Sequence, residues 1–201
     1  MTILIETEMV KKGYNKMALQ YYTHRNLSKF DSELEQFSSS LPKNGHVLDV
    51  GTGIGIPTAK FLAEKGFEVT GIDISETMIN EAKKNVPKAN FIEMNALEMP
   101  FEKNKFDGII SVYTLFHIPR IEHENLFKKF YEILKPEGIL MINTGVSESE
   151  GRSTFFGVPM FWSNFSPDKT LSLMKKAGFS ITFEGVLERG GEIQYWIFAQ
   201  K

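Results

Sequence analysis

The chain has 201 residues, 42% hydrophobic and 24% charged, with a formal net charge of −2. That length suffices for one domain with a substantial core, and the charge balance offers no basic footprint for nucleic acid. The absence of cysteine excludes disulfides, thiolate metal sites and a cysteine nucleophile, and fits a cytoplasmic location. No apolar run approaches the roughly 18 residues of a membrane span. No charged segment followed by an apolar core opens the chain, so no secretory leader is expected.

Residues 1–12 show no clear period. Residues 14–40 read as helix, with Met17, Leu27, Phe30, Leu34 and Phe37 apolar between charges, and Leu41-Pro42-Lys43-Asn44-Gly45 is a turn. Strands are then expected near 46–50, 67–72, 89–93, 106–112, 138–143, 180–186 and 193–200. Helices are expected near 55–65, 75–85, 121–135 and 167–177. Ser75 is placed to cap the helix that follows it, Pro167 to occupy a first helical position, and Gly66 and Gly178 to close helices. Several of the strands are short continuous apolar runs, as in strands covered on both faces. Such alternation predicts an α/β domain, a parallel sheet with helices on both faces. Nothing resembling a linker or a repeat divides it, so residues 1–201 read as a single domain.

The most specific segment is Val47-Leu48-Asp49-Val50-Gly51-Thr52-Gly53-Ile54-Gly55. An apolar strand runs into a glycine-rich turn, and the next strand ends on Asp73. This is the layout of a nucleoside-binding domain, in which bare backbone meets the ligand and a carboxylate meets a ribose. The dinucleotide fingerprint G-x-G-x-x-G places its third glycine one position later, where this chain has Ile56. Asp49 also precedes the first glycine, where it repels a pyrophosphate but attracts an ammonium or sulfonium. The segment resembles motif I of the class I S-adenosylmethionine-dependent methyltransferases. Two later segments resemble that family in the right order: Phe106-Asp107-Gly108-Ile109-Ile110-Ser111-Val112-Tyr113-Thr114-Leu115-Phe116-His117, and Leu134-Lys135-Pro136-Glu137-Gly138 with Glu137 in place of a glycine.

The resemblance spans roughly residues 14 to 201. It implies a Rossmann-like, mostly parallel sheet of seven strands whose last strand is antiparallel, with the glycine-rich pair around 185–193 forming the hairpin that inserts it. It implies S-adenosyl-L-methionine as cofactor and S-adenosyl-L-homocysteine as product. Asp49, Gly51, Thr52 and Gly53 would hold the methionine portion, Asp73 the ribose, and Asn95 and Ala96 the adenine edge. Ile74 and Met78 pack either on the adenine face or in the core. Ser111, Tyr14 and Tyr22 complete the cofactor set, the two tyrosines matching a paired spacing common on the family's first helix. His117 has three readings: a general base, a wall of the cofactor pocket, or a structural residue. The segment 106–117 lacks the paired prolines of enzymes that methylate exocyclic amines of bases. The four histidines show no metal-ligand spacing.

Two segments lie outside the nucleoside machinery, a helical cap at 1–40 and an aromatic insertion at 145–166. Phe155, Phe156, Phe161 and Trp162, with Phe116 and Arg152, are the expected substrate pocket, and the insertion reads as a loop forming a lid or pocket wall. Arg120 and His24 are the other charges expected near it. The expected acceptor is a small, largely apolar or aromatic molecule, methylated by direct in-line transfer, by a monomer or homodimer with no nucleic-acid or membrane partner. Two other classes remain: a cofactor-binding regulatory protein without turnover, and a nicotinamide-dependent oxidoreductase.

Overall fold

The computed structural model describes residues 2–24 and 30–201, with the side chains of 2, 3, 19 and 24 left aside. The helices are α1 (Thr2–His24), α2 (Asp31–Ser39), α3 (Thr58–Glu64), α4 (Glu76–Asn85), α5 (His123–Ile133) and α6 (Pro167–Ala177). The strands are β1 (His46–Val50), β2 (Glu68–Asp73), β3 (Asn90–Glu93), β4 (Phe106–Ser111), β5 (Leu134–Thr144), β6 (Ser149–Phe155), β7 (Val158–Asn164), β8 (Ser180–Arg189) and β9 (Glu192–Gln200).

Seven strands form one sheet in the order β3-β2-β1-β4-β5-β9-β8. Pairs from β3 through β5 are parallel, and β9 runs antiparallel to β5 and β8. This is the Rossmann-like arrangement expected from the sequence. The chain leaves β1 for β2 and β3, then returns to the far side of β1 as β4. The strand order therefore reverses between β1 and β4, where open α/β sheets place their ligand crevice.

Apolar runs such as Ile109-Ile110 in β4 are buried on both faces because each face carries its own core. Leu126, Phe127, Phe130 and Ile133 of α5 pack with Leu173 and Met174 of α6 on one side. Leu34 and Phe37 of α2, Ala59 and Leu62 of α3, and Ile79 and Ala82 of α4 cover the other. Ser75, Pro167 and Gly178 fall where the sequence places them: Ser75 Oγ accepts from Met78 N, Pro167 is in the first turn of α6, and Gly178 closes α6 at φ +112°; Ser166 Oγ also accepts from Lys169 N.

Four expectations are corrected. Residues 2–12 are helical, the start of α1. Their apolar period is blurred because Glu6, Val10 and Gly13 face inward while Leu4 and Ile5 are exposed. The single helix expected over 14–40 is two, α1 and α2, and Arg25 and Leu27 lie outside the described residues. The helix expected from 55 begins at Thr58, because Gly51, Gly53 and Gly55 all hold positive φ and prolong the turn.

The aromatic insertion is not a loop but a hairpin, β6–β7, forming a second, two-stranded sheet. Its turn residues Phe156 and Gly157 have φ of +46° and +76°, which matches the right-handed twist of the flanking strands. Exposed β6, Ser-Glu-Gly-Arg-Ser-Thr-Phe, carries almost no apolar signal.

Candidate functional site

A cavity of about 130 Å³ opens at the carboxyl ends of β1, β2 and β4. Its floor is the glycine turn after β1, and its roof is α1. Val10 and Met17 of α1 pack with Val158, Met160 and Phe161 of β7. The approach is close: a Cβ at Gly13 would come 2.3 Å from Met160 Sδ. Arg152 on β6 makes a two-pronged bond to the buried carboxylate of Glu6, at 2.5 and 3.2 Å. On the far side, Asn15 Oδ1 accepts from Ser75 Oγ at 2.7 Å, and Lys11 pairs with Glu93 at 2.6 Å.

Two carboxylates line the cavity. Asp49 is 3% exposed and accepts from Thr52 Oγ1 at 2.7 Å. Among the described residues no cation pairs with it. Burial, with a smaller contribution from the charge of Asp73, pushes its pKa up to about 7 against the pull of Thr52. Asp73 accepts from the amides of Gly53 and Ser75, each at 2.9 Å. Burial raises its pKa to about 6, and backbone N–H groups, Ser75 first, limit the rise. A buried carboxylate without a partner is costly unless a ligand supplies the charge.

The glycines divide the work. A Cβ on Gly51 would meet Thr114 Oγ1 at 2.0 Å, and one on Gly55 would press on Phe91 and Val86 at 3.2 Å. A Cβ on Gly53 meets nothing within 4 Å. Gly51 and Gly55 therefore serve packing, and Gly53 faces the open cavity.

Also on the lining, the Tyr14 hydroxyl lies 2.7 Å from His117 Nε2, and His117 Nδ1 lies 3.0 Å from the carbonyl oxygen of Phe161. A carbonyl only accepts, so Nδ1 carries the proton and donates to it. In the neutral ring Nε2 then accepts from Tyr14. The imidazole also packs against Trp162, with centroids 4.6 Å apart and the rings tilted by 41°. Ser163 Oγ accepts from the Arg120 amide at 2.8 Å, which clamps the loop carrying His117 to β7.

A methyltransferase-domain family model matches residues 47–138. YqeM of Bacillus subtilis, named as a methyltransferase, is 27% identical over 186 residues, covering 86% of this chain and 74% of that protein. The 24-methylenesterol C-methyltransferase 2 of Arabidopsis thaliana is 29% identical over 120 residues, covering 57% of this chain and 33% of that one. This chain therefore matches about a third of the plant enzyme's length. The crystal structure of magnesium protoporphyrin IX methyltransferase from Synechocystis PCC 6803, with bound S-adenosylmethionine, superposes with a TM-score of 0.77 at 18% identity, covering 98% of this chain and 97% of that one. The chain belongs to the class I S-adenosylmethionine-dependent methyltransferases.

The cofactor of this methyltransferase is S-adenosylmethionine, and the cavity suits it: an unpaired buried carboxylate for a cationic ligand, and an open face at Gly53. Of the residues expected to hold the cofactor, Asp49, Gly51, Thr52, Gly53, Asp73, Ile74, Met78, Asn95, Ala96 and Tyr14 all line the cavity, as does His117. Asn95 also caps the short turn after β3, accepting from Leu97 N at 3.1 Å.

Others fall elsewhere. Ser111 is fully buried inside β4 and is absent from the lining. Tyr22 is 42% exposed, and Tyr21 lines the cavity in its place. Helical phase explains this: seven residues are nearly two turns, so Tyr21 shares the face of Tyr14 and Tyr22 does not.

Phe116, Phe155, Phe156, Phe161 and Trp162 form a layer behind the cavity rather than its surface. Arg152 is engaged by Glu6, and Arg120 by Glu148 at 2.7 Å. The His24 side chain and Arg25 lie outside what is described. The sequence reading missed Thr7, Val10, Tyr113 and Thr114 on the lining. Only the helical period from Tyr14 back through Val10 to Thr7 carried a signal. Among the described residues no cluster is placed to hold a metal ion, and no helix is long and apolar enough to cross a membrane.

Proposed function

We propose that this methyltransferase acts on a small, uncharged molecule through a hydroxyl or amine that loses a proton as it is methylated. The observation that carries the reading is the Tyr14–His117 contact on the cavity wall. The bound cofactor supplies a methyl group on a positively charged sulfur. Asp49 would face its amino group, Asp73 its ribose hydroxyls, and Asn95 and Ala96 its adenine edge. Tyr14 and His117 would take the proton of the acceptor: the imidazole accepts at Nε2, and the Phe161 carbonyl holds the ring in the tautomer that can. Residues 1–40 and 145–166 act as cap and lid, excluding water while the nucleophile is held in line with the methyl.

The cavity lining carries no Lys, Arg or Glu among the described residues, which favours an acceptor without phosphate or carboxylate and disfavours nucleic acid. Relatives named for sterol and porphyrin substrates support a small-molecule acceptor.

The test is incubation with S-adenosylmethionine labelled in its methyl group and fractionated cell extract. Label in a small-molecule fraction, dependent on His117, supports the reading. S-adenosylhomocysteine binding without transfer to any fraction would instead indicate a cofactor-sensing protein.

A further inference from the structure

Beside the cavity lies a group of buried polar atoms that its lining does not use. Asn143 on β5 and Trp196 on β9 are directly opposed in the antiparallel ladder, so their side chains rise from the same face. Both are fully buried. Asn143 Oδ1 accepts from Tyr113 N at 2.6 Å, which turns its Nδ2 away from that amide. Asn143 Nδ2, Trp196 Nε1 and Gln194 Oε1 all lack a hydrogen-bond partner. Gln194 is two residues from Trp196 on one strand and so shares its face. An unmet buried donor or acceptor costs about 1–3 kcal/mol. The group lies just behind the cavity wall: the Trp196 ring is 5.6 Å from Phe30 and 6.3 Å from Tyr113, and both of those residues line the cavity.

We propose that this wall is a recognition subsite for the methyl acceptor and that it takes a cyclic amide, a carbonyl beside an N–H; this rests on the methyl-transfer reading above. A carbonyl oxygen has two lone pairs, one for Asn143 Nδ2 and one for Trp196 Nε1. The neighbouring N–H meets Gln194 Oε1. A carboxylate fits poorly, because it would bury a charge and Arg189, the cation that interacts with Tyr113, is already held by Glu33. The Tyr113 ring packs on Trp196 and lines the cavity, so the amide edge would enter past it.

The chain contains two tryptophans, Trp162 and Trp196, so ¹H–¹⁵N spectra show two indole signals, assigned with Trp162→Phe. S-adenosylhomocysteine is titrated first. The probes 2-pyridone and 1-methyl-2-pyridone, which lacks the N–H, are then titrated with and without it. Failure of S-adenosylhomocysteine to bind would strike the cofactor reading alone.

The expected result is a shift of the Trp196 indole signal by 2-pyridone, with the methylated probe at least about tenfold weaker. Asn143→Asp keeps the acceptor for Tyr113 N but replaces the donor, and it weakens 2-pyridone by a similar factor. Trp196→Phe does the same by calorimetry. S-adenosylhomocysteine binding by each variant reports that it is folded. An unmoved Trp196 signal, equal binding of the two probes, or unchanged binding in Asn143→Asp would overturn the proposal and assign these atoms to trapped water.

Discussion

The amide of Gly53 donates to Asp73 Oδ2 at 2.9 Å, while Asp73 Oδ1 takes the amide of Ser75 at the same distance. The glycine turn after β1 and the acid ending β2 are thus one hydrogen-bonded unit. Each carboxylate oxygen has a second acceptor site, so Asp73 can brace the turn and still receive two ribose hydroxyls.

Replacing Asp73 with Ala removes both functions. S-adenosylhomocysteine affinity should fall about 10- to 100-fold, the worth of one or two charge-assisted bonds. Calorimetric titration measures it, and wild-type affinity would remove Asp73 from the ribose role.

Gly51 and Gly53 should fail differently. Gly51→Ala drives a Cβ to within 2.0 Å of Thr114 Oγ1 and should lower the melting temperature sharply. Gly53→Ala meets no atom and carries only the strain of its positive φ, about 1–2 kcal/mol, yet its methyl projects toward the ligand. It should melt near wild type and bind S-adenosylhomocysteine weakly. Equal loss of stability in both would contradict this division.

The pKa of Asp49, pushed up to about 7 by burial, makes cofactor binding proton-linked. A ligand ammonium needs the carboxylate form, so affinity should rise about tenfold per pH unit up to about 7 and level off above it. For the unliganded fold the sign is opposite. The folded state holds this proton more tightly than the unfolded chain, whose aspartate titrates near the ordinary value of 3.8. Stability should therefore fall as pH rises from about 4 to about 7. Asp49→Asn should remove the Asp49 share of both profiles, leaving the one that Asp73 contributes below about 6, while raising unliganded stability at neutral pH and weakening binding. Titrations across pH, in buffers of differing ionisation heat, report the proton released.

His117→Gln tests the proton-transfer role. Methyl transfer to a hydroxyl or amine should fall by about 10²–10⁴, with S-adenosylhomocysteine affinity little changed. Unchanged transfer at saturating cofactor would leave His117 as cavity wall alone.

The cap is fastened by unequal partners: Arg152 is half exposed, whereas the Glu6 side chain is 7% exposed. Arg152→Ala strands a buried charge, so it should loosen α1 more than the double variant Arg152→Ala/Glu6→Gln. Limited proteolysis within α1 would show the order, and a double variant cleaved faster than the single would refute it.

Much of the site was legible before any coordinates. Strand-turn-helix junctions are local: Gly51 and Gly53 announce theirs because glycine favours positive φ, and Asp73 because a carboxylate ends an apolar strand. The Ser75 cap, Pro167 in a first turn and the Gly178 closure were legible because helix ends are local too. The roof was not. Exposed β6 has no apolar period, α1 is apolar on more than one side, and Tyr21 rather than Tyr22 follows from where the helix docks.

The sequence by itself determined the alternation of strands and helices, the glycine turn and the acids around it, since each depends on residues adjacent in the chain. The tertiary structure alone decided which aromatics touch the cavity, that Arg152 serves Glu6, and that Tyr14 meets His117 across a separation of 103 residues. Contacts at such separations depend on the docking of whole elements, which the pooled burial of many side chains sets and no local pattern encodes.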